Sequence, residues 1–214
     1  MKTSKGFKEV GIDISHWQGA IDFEKVKACG IQFVIIKAGG SEKGYFTDRQ
    51  FENYYRMAKL AGLKVGAYYY AGPSFTNTNE GIKCAKHFRS IIKSKEFDYP
   101  VYIDIEEKVF KDNKKGTTDA VIAFCDHLED LHYFVGIYSS DILGWKNMLE
   151  MDRLKDYSKW VARWGSKKPE IAKDFAVWQY SSTGHIDGIK TNVDLDVSLV
   201  DFAAIMHSKN LNRG

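Results

Sequence analysis

The chain is 214 residues long, 44% hydrophobic and 28% charged, with 31 Lys and Arg against 28 Asp and Glu. Ordinary globular usage at this length allows one domain with a sizeable core and excludes a disordered or fibrous chain. The formal net charge of +3 is spread along the chain, which excludes the clustered basic face of a dedicated nucleic-acid binder. A mildly basic surface still favours approach to an acidic polymer at low salt.

The longest apolar runs, 33–36 and 65–70, are too short to cross a bilayer, so no membrane insertion is expected. The charged segment 1–9 has no apolar signal core, so no classical export signal is expected either. Cys29, Cys84 and Cys125 are an odd number without close spacing and fall within apolar helical patterns. They read as small buried hydrophobes rather than as a disulfide, metal site or nucleophile. His16, His87, His127, His132, His185 and His207 show no zinc-ligand spacing.

In chain order, runs rich in Val, Ile and Tyr at 10–15, 33–38, 64–71, 100–106, 134–139, 159–164, 175–180 and 192–197 read as strands. Helical patterns stand at 22–29, 47–61, 77–94, 117–131, 141–156 and after 198. Asp22 caps the first helix, with Ile21 and Val26 as a hydrophobic staple and Gly30 as its stop. Thr47 with Gln50 forms a capping-box pattern for the second, which Gly62 closes. This alternation predicts an α/β fold around a largely parallel sheet. From Val161 onward strands follow one another through Gly-containing loops too short for helices, so a closed barrel would be irregular at that end. Pro73, Pro100 and Pro169 sit at element edges, and no internal domain boundary is visible.

On the fourth strand Val101, Ile103 and Ile105 point one way while Tyr102, Asp104 and Glu106 point the other. Two carboxylates on one face near the carboxyl end of a parallel strand form the arrangement of a glycoside-hydrolysing barrel; a solvated surface pair is the alternative. Asp13 on the first strand and Asp194 and Asp196 on the last follow the same alternation. In a closed barrel those two strands are neighbours, so four or five acids would converge on one rim. Like charges this close raise at least one pKa and let a carboxylic acid donate a proton near neutral pH. Trp17, Tyr68, Tyr70, Tyr138, Trp164, Trp178 and Tyr180 sit near the same strand ends. Each alone reads as core, but together with the acids they suggest a carbohydrate cleft.

The ordered stretches Gly11-Ile-Asp-Ile-Ser-His-Trp-Gln-Gly19, Val34-Ile-Ile-Lys-Ala38, Val65-Gly-Ala-Tyr-Tyr-Tyr70, Pro100-Val-Tyr-Ile-Asp-Ile-Glu106, Gly136-Ile-Tyr138, Trp160-Val-Ala-Arg-Trp164, Val177-Trp-Gln-Tyr180 and Val193-Asp-Leu-Asp196 run nearly end to end. In order and spacing they resemble glycoside hydrolase family 25, the muramidases of bacteria, fungi and phage endolysins. The resemblance implies an irregular TIM-like barrel of eight strands with about five or six helices, over a catalytic domain at 1–207, with 208–214 as a tail or the start of a linker. It implies hydrolysis of the β-1,4 bond between N-acetylmuramic acid and N-acetylglucosamine. Glu106 would be the general acid and Asp104 would assist the substrate's acetamido group, with Asp13 and Asp194 completing an acidic floor. Tyr68, Tyr70, Tyr138, Trp164, Trp178, Gln179 and Asp196 would contact substrate. No metal or other cofactor is expected.

Two departures from the family pattern stand out. Ala-Gly-Gly-Ser-Glu-Lys-Gly-Tyr follows Lys37 where Thr-Glu-Gly is more common, and Asp196 stands where Asn is common. Spacing along a strand, about 6.6 Å for residues two apart, does not decide between retaining and inverting chemistry. Retention through the 2-acetamido group is implied by family only.

Three alternatives remain at this level: a chitinase-type barrel, whose motif wants an acid where Tyr102 stands, a non-catalytic wall-binding barrel, and metal-assisted hydrolysis, since clustered Asp and Glu also bind Mg or Ca. The expected partner is bacterial peptidoglycan, met by a monomer or by a chain linked to a wall-binding module. The expected setting is the cell wall, reached as a phage endolysin released from host cytoplasm or as a secreted enzyme whose signal has been removed.

Overall fold

Eight strands close on themselves: β1 (Glu9–Ile14), β2 (Phe33–Gly40), β4 (Lys64–Tyr70), β5 (Val101–Asp104), β6 (Val135–Ser140), β7 (Ser158–Ala162), β8 (Val177–Gly184) and β9 (Val193–Ser198). The structure, a computed structural model, describes residues 6–214, so the first five residues of the charged start at 1–9 lie outside it. Neighbours from β1 through β8 run parallel, whereas β9 is antiparallel to both β8 and β1 and closes the barrel between them. The cause is the irregularity read at that end. A parallel return needs a crossover of a dozen or more residues, and the eight residues from 185 to 192 suffice only for an antiparallel one. The irregular TIM-like α/β barrel expected from the sequence is the fold observed.

Five α-helices accompany the strands among the described residues: α1 (Phe23–Ala28), α2 (Phe51–Leu60), α3 (Thr78–Ile92), α4 (Lys114–Glu129) and α5 (Phe202–Lys209). Asp22 caps α1 as the sequence indicates, its carboxylate accepting from the Lys25 backbone N–H. The capping box at Thr47 is not formed. Thr47 belongs to a two-residue strand, β3 (Phe46–Thr47), paired with the end of β2, and Asp48 takes the local role by accepting from the Gln50 N–H.

The helix expected at 141–156 is also absent. In its place are one π turn, Asp141–Lys146, and one 3-10 turn, Met151–Arg153. Asp141 ties this segment to a distant loop by accepting from the N–H groups of Glu170, Ile171 and Ala172 and from Arg163 Nη1. A carboxylate committed to four outside donors holds the chain where a continuing helix would carry it away.

Strand alternation divides the core into two layers. Val10, Ile12, Ile14, Val34 and Ile36 face the helices, while Phe33, Ile35, Tyr102, Tyr138, Trp160 and Val177 fill the barrel interior. Interior aromatics need room, and glycines on neighbouring strands provide it. A Cβ at Gly11 would stand 2.3 Å from the Phe33 ring, and one at Gly136 2.4 Å from the Tyr102 ring. Phe202 and Met206 of α5 close the end remote from the acids, next to Tyr99. Part of the segment read as a tail or the start of a linker packs there: Asn212 is fully buried, donates to the Tyr99 carbonyl and accepts from the Phe134 N–H.

Candidate active site

The opposite end of the barrel holds a cavity of about 310 Å³. Its rim is made by the carboxyl ends of the parallel strands and the start of β9, because β9 runs the other way. Asp13, Asp104, Glu106 and Asp194 all line it, so the structure brings the four acids together. Asp13 and Asp194 are direct partners across the β1–β9 ladder, which sets their side chains adjacent on the inner face. Asp104 ends β5 and is buried, with Tyr70 and Tyr138 at its level on the flanking strands. Glu106 lies two residues further, on extended chain held by the Ile105 N–H to the Tyr138 carbonyl, and stands exposed at the rim.

Burial and crowding raise the pKa of each of these acids. Asp104 is pushed well above the usual carboxylate range by burial and then by Glu106, with Lys37 opposing. Glu106 is raised by the low-dielectric wall it leans on and by Asp194, against the pull of Tyr138 and Lys37. Burial raises Asp194 to about 6. Asp13 is raised by burial, then by Asp196 and Asp194. Asp104 Oδ1 is buried without a hydrogen-bond partner. An acceptor left unmet inside a cavity is available to a ligand donor.

The polar and aromatic wall forms one connected network. Tyr138 Oη and Trp164 Nε1 both donate to Gln179 Oε1 at 3.0 Å, and Gln179 Nε2 donates to Asp13 Oδ2 at 2.8 Å. Trp164 is 62% exposed, so it offers a free ring edge above a fixed base. Tyr68 completes the inner wall, and burial beside the acids holds its hydroxyl protonated.

Four residues named from sequence sit elsewhere. Tyr70 stands behind the wall, its hydroxyl donating to Glu107 and its ring 4.5 Å from Lys37 Nζ. Asp196 lies one pleat deeper than Asp194 and is fully buried, so Asp194 is the acid of this strand that lines the cavity. Trp178 does not line it. Gln179 points inward, so Trp178 points outward, where it packs on Phe7, Phe175 and Tyr180 and donates to the Arg163 carbonyl. Trp17 projects from a 3-10 turn outside the cavity, 75% exposed.

Three contributors escaped the sequence reading. Trp160 and Ser182 line the cavity, and Lys37 is the buried cation beside Asp104 and Glu106, paired with Glu42 at 3.0 Å. Lys37 was detectable, because a lysine two residues beyond Ile35 on a strand continues the inner face. Among the described residues no cluster of His, Cys, Asp and Glu has the arrangement of a metal site.

An irregular eight-stranded barrel with clustered acids and a tryptophan at its carboxyl rim defines a sugar-processing class, and the comparisons give the family. Residues 12–189 match the model for glycosyl hydrolases family 25, and the chain belongs to that family. It is 33% identical over 186 residues to the autolytic lysozyme of Clostridium acetobutylicum, covering 87% of this chain and 54% of the relative. It is 30% identical over 204 residues to Lysozyme M1 of Streptomyces globisporus, covering 86% and 65% respectively. The chain thus spans between about half and two thirds of the length of these curated relatives. Among solved structures, a bacterial lysozyme from Streptomyces coelicolor superposes with a TM-score of 0.77 at 26% identity over the whole of both chains. The catalytic domain of an endolysin from a bacteriophage of Listeria monocytogenes superposes with a TM-score of 0.78 at 27% identity, over 95% of this chain and 98% of that one.

Proposed function

We propose that this chain is a muramidase that hydrolyses the β-1,4 bond between N-acetylmuramic acid and N-acetylglucosamine in bacterial peptidoglycan. One observation carries the reading: Asp104 and Glu106 share the inner face at the end of β5, both raised in pKa, beside a carbohydrate-sized cavity with an exposed tryptophan. The names of the lysozyme relatives and of the endolysin neighbour agree with it.

Glu106, at the rim and protonated, gives its proton to the glycosidic oxygen as the C1–O bond breaks. The substrate's own 2-acetamido oxygen attacks C1 from the other face, forming a cyclic oxazolinium ion. Asp104, whose Oδ1 has no protein partner, accepts the acetamido N–H. Glu106, now a carboxylate, takes a proton from the water that opens the ring, and the configuration at C1 is retained. Asp13, Asp194 and the Gln179 network shape the floor, and Tyr68, Tyr138 and Trp164 hold the sugar. Action at the cell wall, as a monomer or beside a wall-binding module, follows from this reading.

Mass spectrometry of digested peptidoglycan tests it. A muramic acid reducing end is expected; a glucosamine reducing end would make the chain a glucosaminidase.

A further inference from the structure

Glu106 and Trp164 form a ridge with a cavity on each side. Beyond the acidic one lies a second, of about 620 Å³, of quite different chemistry. Met148 and Ala162 are its buried apolar floor, and Leu143, 68% exposed on the π turn, is its lip. Lys108 and Lys111 also line it, from a 3-10 helix, Lys108–Asn113, that begins four residues after the end of β5. Neither lysine takes part in an ion pair among the described residues.

This lining does not suit a sugar ring. Sugars are held by flat aromatic faces and dense hydrogen bonding, whereas here Trp164 is the sole ring, already engaged with the first cavity, and Ser140 and Asn147 are the only uncharged polar side chains. Aliphatic walls beside two uncommitted ammonium groups suit small apolar side chains that carry free carboxylates. In a peptidoglycan strand that chemistry belongs to the peptide stems, which are rich in alanine and carry acids. The cavity is also well placed, because it shares Glu106 with the pit where the glycan would be cut.

We infer that the second cavity docks a peptide stem of the glycan strand being cleaved. Its methyl groups lie on Leu143, Met148 and Ala162, and its carboxylates meet Lys108 and Lys111. The inference rests on the muramidase reading and extends it from the sugar to the peptide.

The test compares uncrosslinked glycan strands bearing their stems with the same strands stripped by an amidase, at low salt. The unmodified chain should prefer the peptide-bearing strands. The double variant Lys108→Ala, Lys111→Ala should lower the ratio of kcat/KM values, bearing over stripped, by about fivefold to tenfold, as expected for two screened charge contacts. The loss should lie in KM, and Lys108→Arg with Lys111→Arg should restore most of it. An equal loss on both substrates, or none, overturns the inference. Direct binding keeps it separate from the reading beneath it: released stem peptide should bind the parent saturably by isothermal titration calorimetry and should not bind the alanine variant. Cleavage of both glycans with no peptide binding would refute the docking site alone. Binding with no cleavage would refute the muramidase alone.

Discussion

Trp160 donates from its indole Nε1 to Asp196 Oδ1 at 2.8 Å inside the barrel. The other oxygen of Asp196 is buried with no donor, and the Asp13 carboxyl lies beside it. Burial chiefly raises Asp196 to about 8, while Asp194 adds to it and Trp160 and Asp13 oppose. Tyr102 and Tyr180 face it from β5 and β8, both neutral, and Gln179 binds the far side of Asp13. With no cation in this group, the expected arrangement is one proton shared between Asp13 and Asp196. The folded chain holds that proton while the unfolded chain releases it near 3.8, so this pair lowers stability as pH rises from about 4 to about 8. The slope is at most about 1.4 kcal/mol per pH unit. Asp196→Asn, which keeps the shape and supplies a permanent donor, should match the parent in Tm near pH 4. It should exceed the parent increasingly up to pH 8 and by a constant margin above. A margin independent of pH would exclude the shared proton.

Glu106 is the residue on which turnover depends. Glu106→Gln should lower kcat on peptidoglycan by about a thousandfold while leaving Tm within a degree or two, since the side chain is exposed at the rim. In the parent, kcat/KM should fall on the alkaline side with an apparent pKa above the ordinary 4.5, because the acid must be protonated to donate and its pKa is raised. The value belongs to the coupled pair with Asp104. A glutamine variant as active as the parent would remove Glu106 from the chemistry.

Lys37 sets where that alkaline limb falls. It lowers both Asp104 and Glu106, and it is buried with its ammonium on Glu42 and over the Tyr70 ring. Lys37→Met should move the limb upward, by up to about one pH unit, the size of effect one partly screened charge produces. It should also cost stability, by about 2 to 4 kcal/mol, because Glu42 is left without its partner. A variant with an unmoved pH profile would show that Lys37 is structural only.

The fold was legible because its cause is local: eight alternating runs, capped helices such as the one at Asp22, and a last connection too short for a helix. The acids were legible for the same reason, since period-two alternation assigns Asp13, Asp104, Glu106 and Asp194 to the inner face wherever the strands go. Alternation also separates Trp178 from Gln179, and treating both as wall residues overlooked that neighbours on a strand face opposite ways. The helix expected at 141–156 failed for a non-local reason. Its apolar pattern is real, but Asp141 is bound to residues 170–172, about thirty positions away, and no window on the sequence contains both ends.

Trp164 is the exposed platform whose position depends on that tether. Arg163 joins Asp141 and Glu170, and Trp164 next to it reaches Gln179. Trp164→Ala should raise KM for glycan by about tenfold, the loss of roughly one stacked ring, with Tm nearly unchanged because the ring is mostly in solvent.

Asp141→Ala should reach the same site from a distance. Burial alone would raise the pKa of Asp141, but the N–H groups of Glu170, Ala172 and Ile171, together with Arg163, outweigh it and hold the carboxyl below the usual range. A depressed acid contributes stability above its unfolded pKa and loses it as pH falls through the folded one, so the parent should lose stability below about pH 4. Removing the carboxylate leaves three backbone donors unmet and Arg163 held by Glu170 alone, at a cost of about 2 to 4 kcal/mol near neutral pH. That deficit should shrink in acid. KM should rise as in Trp164→Ala, because the loop that carries the platform is no longer anchored, and kcat should hold, because Glu106 and Asp104 stand on β5 and its extension. A fall in kcat with KM unchanged would place the effect of Asp141 on the acids rather than on the platform.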